Sequence, residues 1–268
     1  MRIKHIIINV DDFGMCSSIN HASIEAVRSG CATSLSVMPC APFFNEAVRL
    51  ARKNKITHMG VHLCLNSEFP GLRWGTVTAS KLVPSLVDCN GYMHKSIKAA
   101  SHSVCYDEVM VELENQILKA IKNRIIPTHL DCHMFVLHLD VSHRLDLLAC
   151  VNYLCKKYRL PFRAPFRNEV EYFKKNNTKI LVHSFKESYD IEENRKVEKY
   201  NAFIRSIGYG VSELILHCGY DNVELKKITK CSGRRQADLD YALSAATKDV
   251  LKQERISVIS WRQAQRLL

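Results

Sequence analysis

Short apolar runs alternate with amphipathic stretches from one end of the chain to the other. Strand-like runs fall at 3–10 (IKHIIINV), 32–38 (ATSLSVM), 58–64 (HMGVHLC) and 127–132, and again at 160–165 (LPFRAP), 179–183 (KILVH), 212–217 (SELILH) and 256–260 (ISVIS). Helical patterns lie between them, near 18–29, 43–54, 107–124, 141–158, 191–207 and 235–252. Over 107–124, Val109, Leu113, Gln116, Ile117, Ala120 and Ile121 recur at helical spacing. Such βαβα alternation predicts a parallel sheet with helices packed outside it. About eight strands favour a closed or nearly closed α/β barrel over an open sheet.

One region breaks the rhythm. Residues 66–106 hold turn formers and aromatics without a clean period, directly after the third strand-like run. An irregular stretch of this length is often a functional lid. It leaves the sheet at the C-terminal strand face, where barrels carry their active sites. The expected architecture is therefore a single (β/α) barrel-like domain over 1–268, distorted where the lid is inserted.

The chain has 268 residues, 47% hydrophobic and 24% charged, which is enough to bury a sizeable core. No run approaches the length of a membrane span. The apolar stretch Ile6–Val10 is too short for a signal-peptide core. Eleven scattered cysteines, with no CxxC pair and no export signal, predict free thiols in a reducing cytoplasm. A net charge of +11 raises the question of a nucleic-acid partner. The basic residues fall in helix-like stretches such as KKYR and ENRKVEK, with no basic tail or RNA-binding signature, so no nucleic-acid partner is expected. A homo-oligomer stays open.

Acids and histidines gather at the predicted strand ends. The first run ends in Asp11 and Asp12, the third carries His62, the fourth leads through His129 and Asp131 to His133, and the run 212–217 ends at His217. Each could be an ordinary core or cap residue, Asp being a favoured N-cap. A barrel, however, brings all of them to one mouth, and these residue types bind divalent metals and move protons. The DFG at 12–14 is not that of a protein kinase, because the glycine-rich loop and catalytic loop that precede it there have no room here.

The ordered motifs NVDDFG, GVHLCL, THLDCH and ELILHCGY, with GCATSLSVM and SGRRQADLDYAL, resemble the YdjC-like carbohydrate deacetylases, which include chitooligosaccharide deacetylases. The likeness runs over nearly the whole chain. It implies a (β/α) barrel-like fold and metal-dependent removal of an N-acetyl group from an amino sugar, with activated water as nucleophile. The implied metal ligands are Asp12, His62 and His133, and Asp11 is the implied proton acceptor. The metal is Mg2+ by resemblance, while two imidazoles and a carboxylate also suit Zn2+, Co2+ or Mn2+. His217 is the candidate general acid, with His129, Asp131 and Arg163 as neighbours that orient ligands or touch substrate. The chain departs from the family pattern at Cys132, at Cys218 and after His133, where Met134-Phe135-Val136-Leu137 stand in place of further histidines. Those changes motivate an alternative: a catalytically reduced carbohydrate-binding or regulatory protein that keeps the barrel and metal site.

Overall fold

The computed structural model describes residues 3–28, 31–164, 166–178, 180 and 184–267. The seven strands among them form one sheet: β1 (Lys4–Phe13), β2 (Ser34–Val37), β3 (His58–Leu63), β4 (Ile126–Cys132), β5 (Ser184–Lys186), β6 (Gly210–Leu216) and β7 (Ile256–Val258). All pairings are parallel, in the order β4-β3-β2-β1-β6-β5, and β7 also pairs with β1. β1 is buried from Ile6 to Phe13. Its apolar part, Ile6–Ile8 with Val10, is what a parallel strand covered on both faces needs, while buried Asn9, Asp11 and Asp12 are the exceptions that the site uses. β6 pairs with β1 from Lys4 to Val10, β7 takes Lys4–Ile6, and β2 takes over from Asn9.

This is an α/β barrel-like fold. The run expected as a strand at 160–165 contributes a single bridge, Phe162 to Leu130. The reason is local: Leu130 N–H donates to the carbonyl of Pro161 at 2.9 Å, but Pro161 has no N–H with which to extend the ladder. The expected strand at 179–183 lies, apart from Ile180, outside the described residues, and β5 begins just after it.

The helices follow the predicted pattern with three changes. The run 141–158 divides into Leu139–Ser142 and Leu145–Tyr158, because His143 turns left-handed at φ 55°. The run 235–252 divides into Ser232–Leu243 and Ala245–Gln253, where the Ser244 hydroxyl caps the second helix by accepting from Ala246 N–H. The run 191–207 opens as a 3₁₀ turn at Glu193–Arg195 and becomes α-helical at Lys196. Two further helices, Arg167–Lys175 and Val223–Ile228, are too short and polar to read from periodicity.

The irregular segment 66–106 carries short 3₁₀ turns and one small helix, Ile97–His102. Phe69, Trp74 and Met93 pack in one apolar cluster with Met15, Met38 and Leu225. Buried Glu112, on the helix Tyr106–Lys122, accepts hydrogen bonds from the backbone N–H of Val77 and Thr78 at 2.9 and 2.8 Å. These contacts hold the segment against the C-terminal side of the sheet.

Candidate active site

Residues two apart on a strand share a face. Asn9 and Asp11 on β1, and His129 and Asp131 on β4, follow this rule and all point into one buried polar network. Asp12 should then face away from Asp11. It does not, because β1 shifts register between Val10 and Phe13 and Asp12 itself adopts φ 65°. The turn starts at Asp12, and Gly14 continues it at φ 111°. Asp is one of the few residues with a side chain that visits this region, at a cost of roughly 1–2 kcal/mol.

The kink brings Asp12 to two histidines. Its Oδ1 lies 3.5 Å from His62 Nε2 and 3.2 Å from His133 Nδ1. Donor atoms of Asp12, His62 and His133 all lie within 4.8 Å of one another, and all three residues are buried. Burial by itself raises the Asp12 carboxyl pKa, yet Arg235, His133 and His62 hold it well below the carboxylate range. Burial works against charge on the imidazoles too. Asp131 and Asp11 nonetheless push His62 well above its ordinary value, and Glu68 and Asp12 bring His133 to about 9. The surrounding carboxylates thus favour positive charge at both imidazoles, and a divalent cation between them would answer the same field.

Each imidazole is oriented from its other side. His62 Nδ1 donates to Asp131 Oδ1 at 2.9 Å, turning Nε2 toward Asp12. His133 Nε2 lies 3.0 Å from both oxygens of Glu68, and Trp74 meets its ring edge-on at 5.7 Å. Arg235 Nη2 donates to Asp12 Oδ2 at 2.7 Å. Glu68, Trp74 and Arg235 were not expected from sequence. Glu68 and Trp74 sit in the irregular segment, and Arg235 lies within SGRRQAD, where spacing carries no signal for it. The three donors fit a divalent metal: one carboxylate and two imidazoles, from the ends of three strands, with carboxylates behind both imidazoles.

Asp11 has different company. Arg163 grips it with two hydrogen bonds, Nη1 to Oδ2 at 2.7 Å and Nη2 to Oδ1 at 3.0 Å, and Asn9 Nδ2 donates to Oδ1 at 2.7 Å. Arg163 also bonds Glu213 through Nε and Nη2 and lies 3.0 Å from Asp131, so one guanidinium serves three buried carboxylates. His129 lies deeper still. Its Nε2 is 3.2 Å from Ser36 Oγ and 3.3 Å from Asp131 Oδ2, and its ring stacks on Trp261 at 4.2 Å. It supports the interior and does not line the pocket.

Asp11, Asp12, His62, His133 and His217 line one pocket of about 270 Å³. His217 Nδ1 is 3.0 Å from Ser188 Oγ, which donates to Asp238 at 2.9 Å, and Asp238 is anchored by buried Lys196 at 2.6 Å. Of the eight residues singled out in the sequence, five therefore meet in the pocket, while Asp131, Arg163 and His129 form the layer beneath it.

Residues 5–253 match the sequence profile of the family described as YdjC-like protein. A carbohydrate deacetylase of Thermoanaerobacter pseudethanolicus is 27% identical over 252 residues, covering 93% of this chain and 94% of its own. A chitooligosaccharide deacetylase of Yersinia pestis is 31% identical over 172 residues, covering 63% of this chain and 62% of its own. Among solved structures, an Enterococcus faecalis protein named for cellobiose-phosphate cleavage superposes with a TM-score of 0.83 at 25% identity, covering 97% of this chain and 98% of its own. A lactam utilization protein from Thermus thermophilus shares the fold at a TM-score of 0.54 and 13% identity, covering 97% of this chain and 100% of its own.

Proposed function

The chain belongs to the YdjC-like protein family, and on that premise we propose that it hydrolyses the N-acetyl group of an amino-sugar oligosaccharide or glycoconjugate, with a divalent metal held by Asp12, His62 and His133. The observation that carries this reading is the convergence of those three donors beside an Arg-held carboxylate, Asp11, in one pocket. The relatives named as carbohydrate deacetylases support the substrate class.

A divalent metal, when bound, supplies the positive charge that polarises the acetyl carbonyl and acidifies the attacking water. Asp131 and Glu68 keep His62 and His133 turned toward Asp12. Asp11 takes the proton of the attacking water. Its two bonds from Arg163 fix the carboxylate, so little reorganisation accompanies that transfer. On the far side of the pocket His217 gives a proton to the departing amine nitrogen; Ser188, itself bonded to Asp238, holds its Nδ1 and leaves Nε2 for the substrate.

The reading includes a single domain over 1–268 working in the cytoplasm. All eleven cysteines are free thiols, as a reducing compartment requires. Among the described residues, no helix is long and apolar enough to cross a membrane.

The test is acetate release from di-N-acetylchitobiose by chelator-stripped protein reloaded in turn with Mg2+, Zn2+, Co2+ or Mn2+. Turnover with at least one metal, absent in Asp12→Ala, is expected. Failure of the wild type with every metal and every acetylated oligosaccharide tried would favour the carbohydrate-binding alternative.

A further inference from the structure

Immediately after His133 the backbone does something costly. Met134 and Phe135 both adopt left-handed conformations, at φ 52° and 56°. Glycine occupies this region freely and residues with a Cβ do not. The chain nevertheless keeps two large apolar side chains at these positions, and both line the pocket that holds the candidate metal ligands.

The surroundings of Phe135 are built to hold its ring in place. It meets His138, Phe166 and Phe185 edge-to-face at 5.2, 5.8 and 6.4 Å. His138 stacks on Phe162 at 5.0 Å and is tied to buried Glu169 at 2.6 Å. The same carboxylate accepts from Leu139 N–H at 2.7 Å, fixing the chain as it leaves the turn. On the other side, Met134 Sδ accepts from Asn66 Nδ2 at 3.0 Å, which joins the turn to the irregular segment. The rest of the lining is largely ionisable: Asp11, Asp12, Glu68, Glu187, Asp190, His217 and Arg235 stand around this apolar wall.

Single left-handed residues also close helices elsewhere in the chain, but here two adjacent ones both line the pocket, which points to a role for their side chains. A pyranose ring is polar at its rim and apolar on its C–H face, so it matches a pocket where the Phe135 ring on one wall and Tyr189 beside His217 stand among hydrogen-bonding groups. We propose that Phe135, with Met134 beside it, is the platform on which the sugar ring carrying the acetamide lies, and that it sets specificity for a pyranoside over an acetylated amine without a ring. The proposal rests on the deacetylase reading above.

Phe135→Gly removes the ring while relieving the backbone, and Phe135→Tyr keeps the ring. Binding of di-N-acetylchitobiose to metal-loaded protein is followed by calorimetry, and acetate release gives kcat and KM separately. Phe135→Gly is expected to weaken binding and raise KM by about 10–100-fold with kcat little changed. Phe135→Tyr is expected to stay near wild type, with equal metal content in all three. Wild-type binding by Phe135→Gly, or a loss confined to kcat, overturns the platform and leaves the deacetylase reading standing. A wild type that neither binds nor deacetylates the sugar overturns both.

Discussion

Asp11 and Asp12 are neighbours in the chain but keep different company: Asp11 is gripped by Arg163 and Asn9, whereas Asp12 faces Arg235 and two imidazoles. Their substitutions should therefore separate. Asp11→Asn keeps the charge set of Asp12, His62 and His133, so the variant should retain its metal by elemental analysis while turnover falls by about 10²–10⁴-fold. Asp12→Ala should lose both metal and turnover. Equal metal loss in the two variants would mean that the acids share one role. Much of this residue-scale picture was legible, because acids and histidines at strand ends form a visible pattern. Glu68 and Arg235 were not legible. Glu68 reaches His133 from a segment with no period and Arg235 reaches Asp12 from a distant helix, and only the folded chain sets those distances.

At the scale of elements, close approaches matter more than propensities. β3 and β4 pair side by side, with His62 opposite Asp131, which is why an imidazole and its orienting carboxylate meet. Gly60 on β3 makes room for the His129 ring: a Cβ there would lie 2.4 Å from two of its atoms. His129 cannot yield easily, being stacked on Trp261 and bonded to Ser36. Gly60→Ala should destabilise the fold by about 1–3 kcal/mol, seen as a Tm lower by several degrees. An unchanged Tm would show that the ring relocates freely. Strand positions were readable from apolar runs, since burial on both faces demands them. The left-handed residues were not: Asp12, Met134 and Phe135 lie in ordinary strand and loop sequence, and nothing in their spacing announces a positive φ.

In the whole molecule, the interior of the sheet is charged. Arg163 lies among Asp11, Asp131 and Glu213, and Glu213 also accepts from Trp261 Nε1 at 3.0 Å. With one cation for three acids, burial pushes the Glu213 carboxyl from 4.5 up to about 7, against the opposing pull of Arg163. The folded state then holds a proton that the unfolded state has lost between pH 4.5 and about 7, so this group makes folding less favourable as pH rises through that window. Glu213→Gln has no such proton to lose. The stability of wild type relative to Glu213→Gln should therefore fall across the window, by up to about 3 kcal/mol, in denaturant titrations at each pH. A pH-independent difference would mean that Glu213 is ionised throughout. Arg163→Met should be the most damaging change in this layer, about 3–5 kcal/mol, because it strands several buried carboxylates at once.

The sequence by itself determined the alternation of strands and helices, the family, and the presence of acids and histidines at the strand ends. These follow from local rules: a buried parallel strand is mostly apolar, and chemistry needs particular side chains. Tertiary structure alone decided which of those side chains meet. It turned Asp12 toward His62 and His133 through a kink in β1, sank His129 and Arg163 beneath the pocket, and brought Glu68 to His133 and Arg235 to Asp12. The reason is physical: hydrophobic periodicity encodes which face of an element is buried, whereas hydrogen-bond and ion-pair distances depend on how separate elements are finally packed.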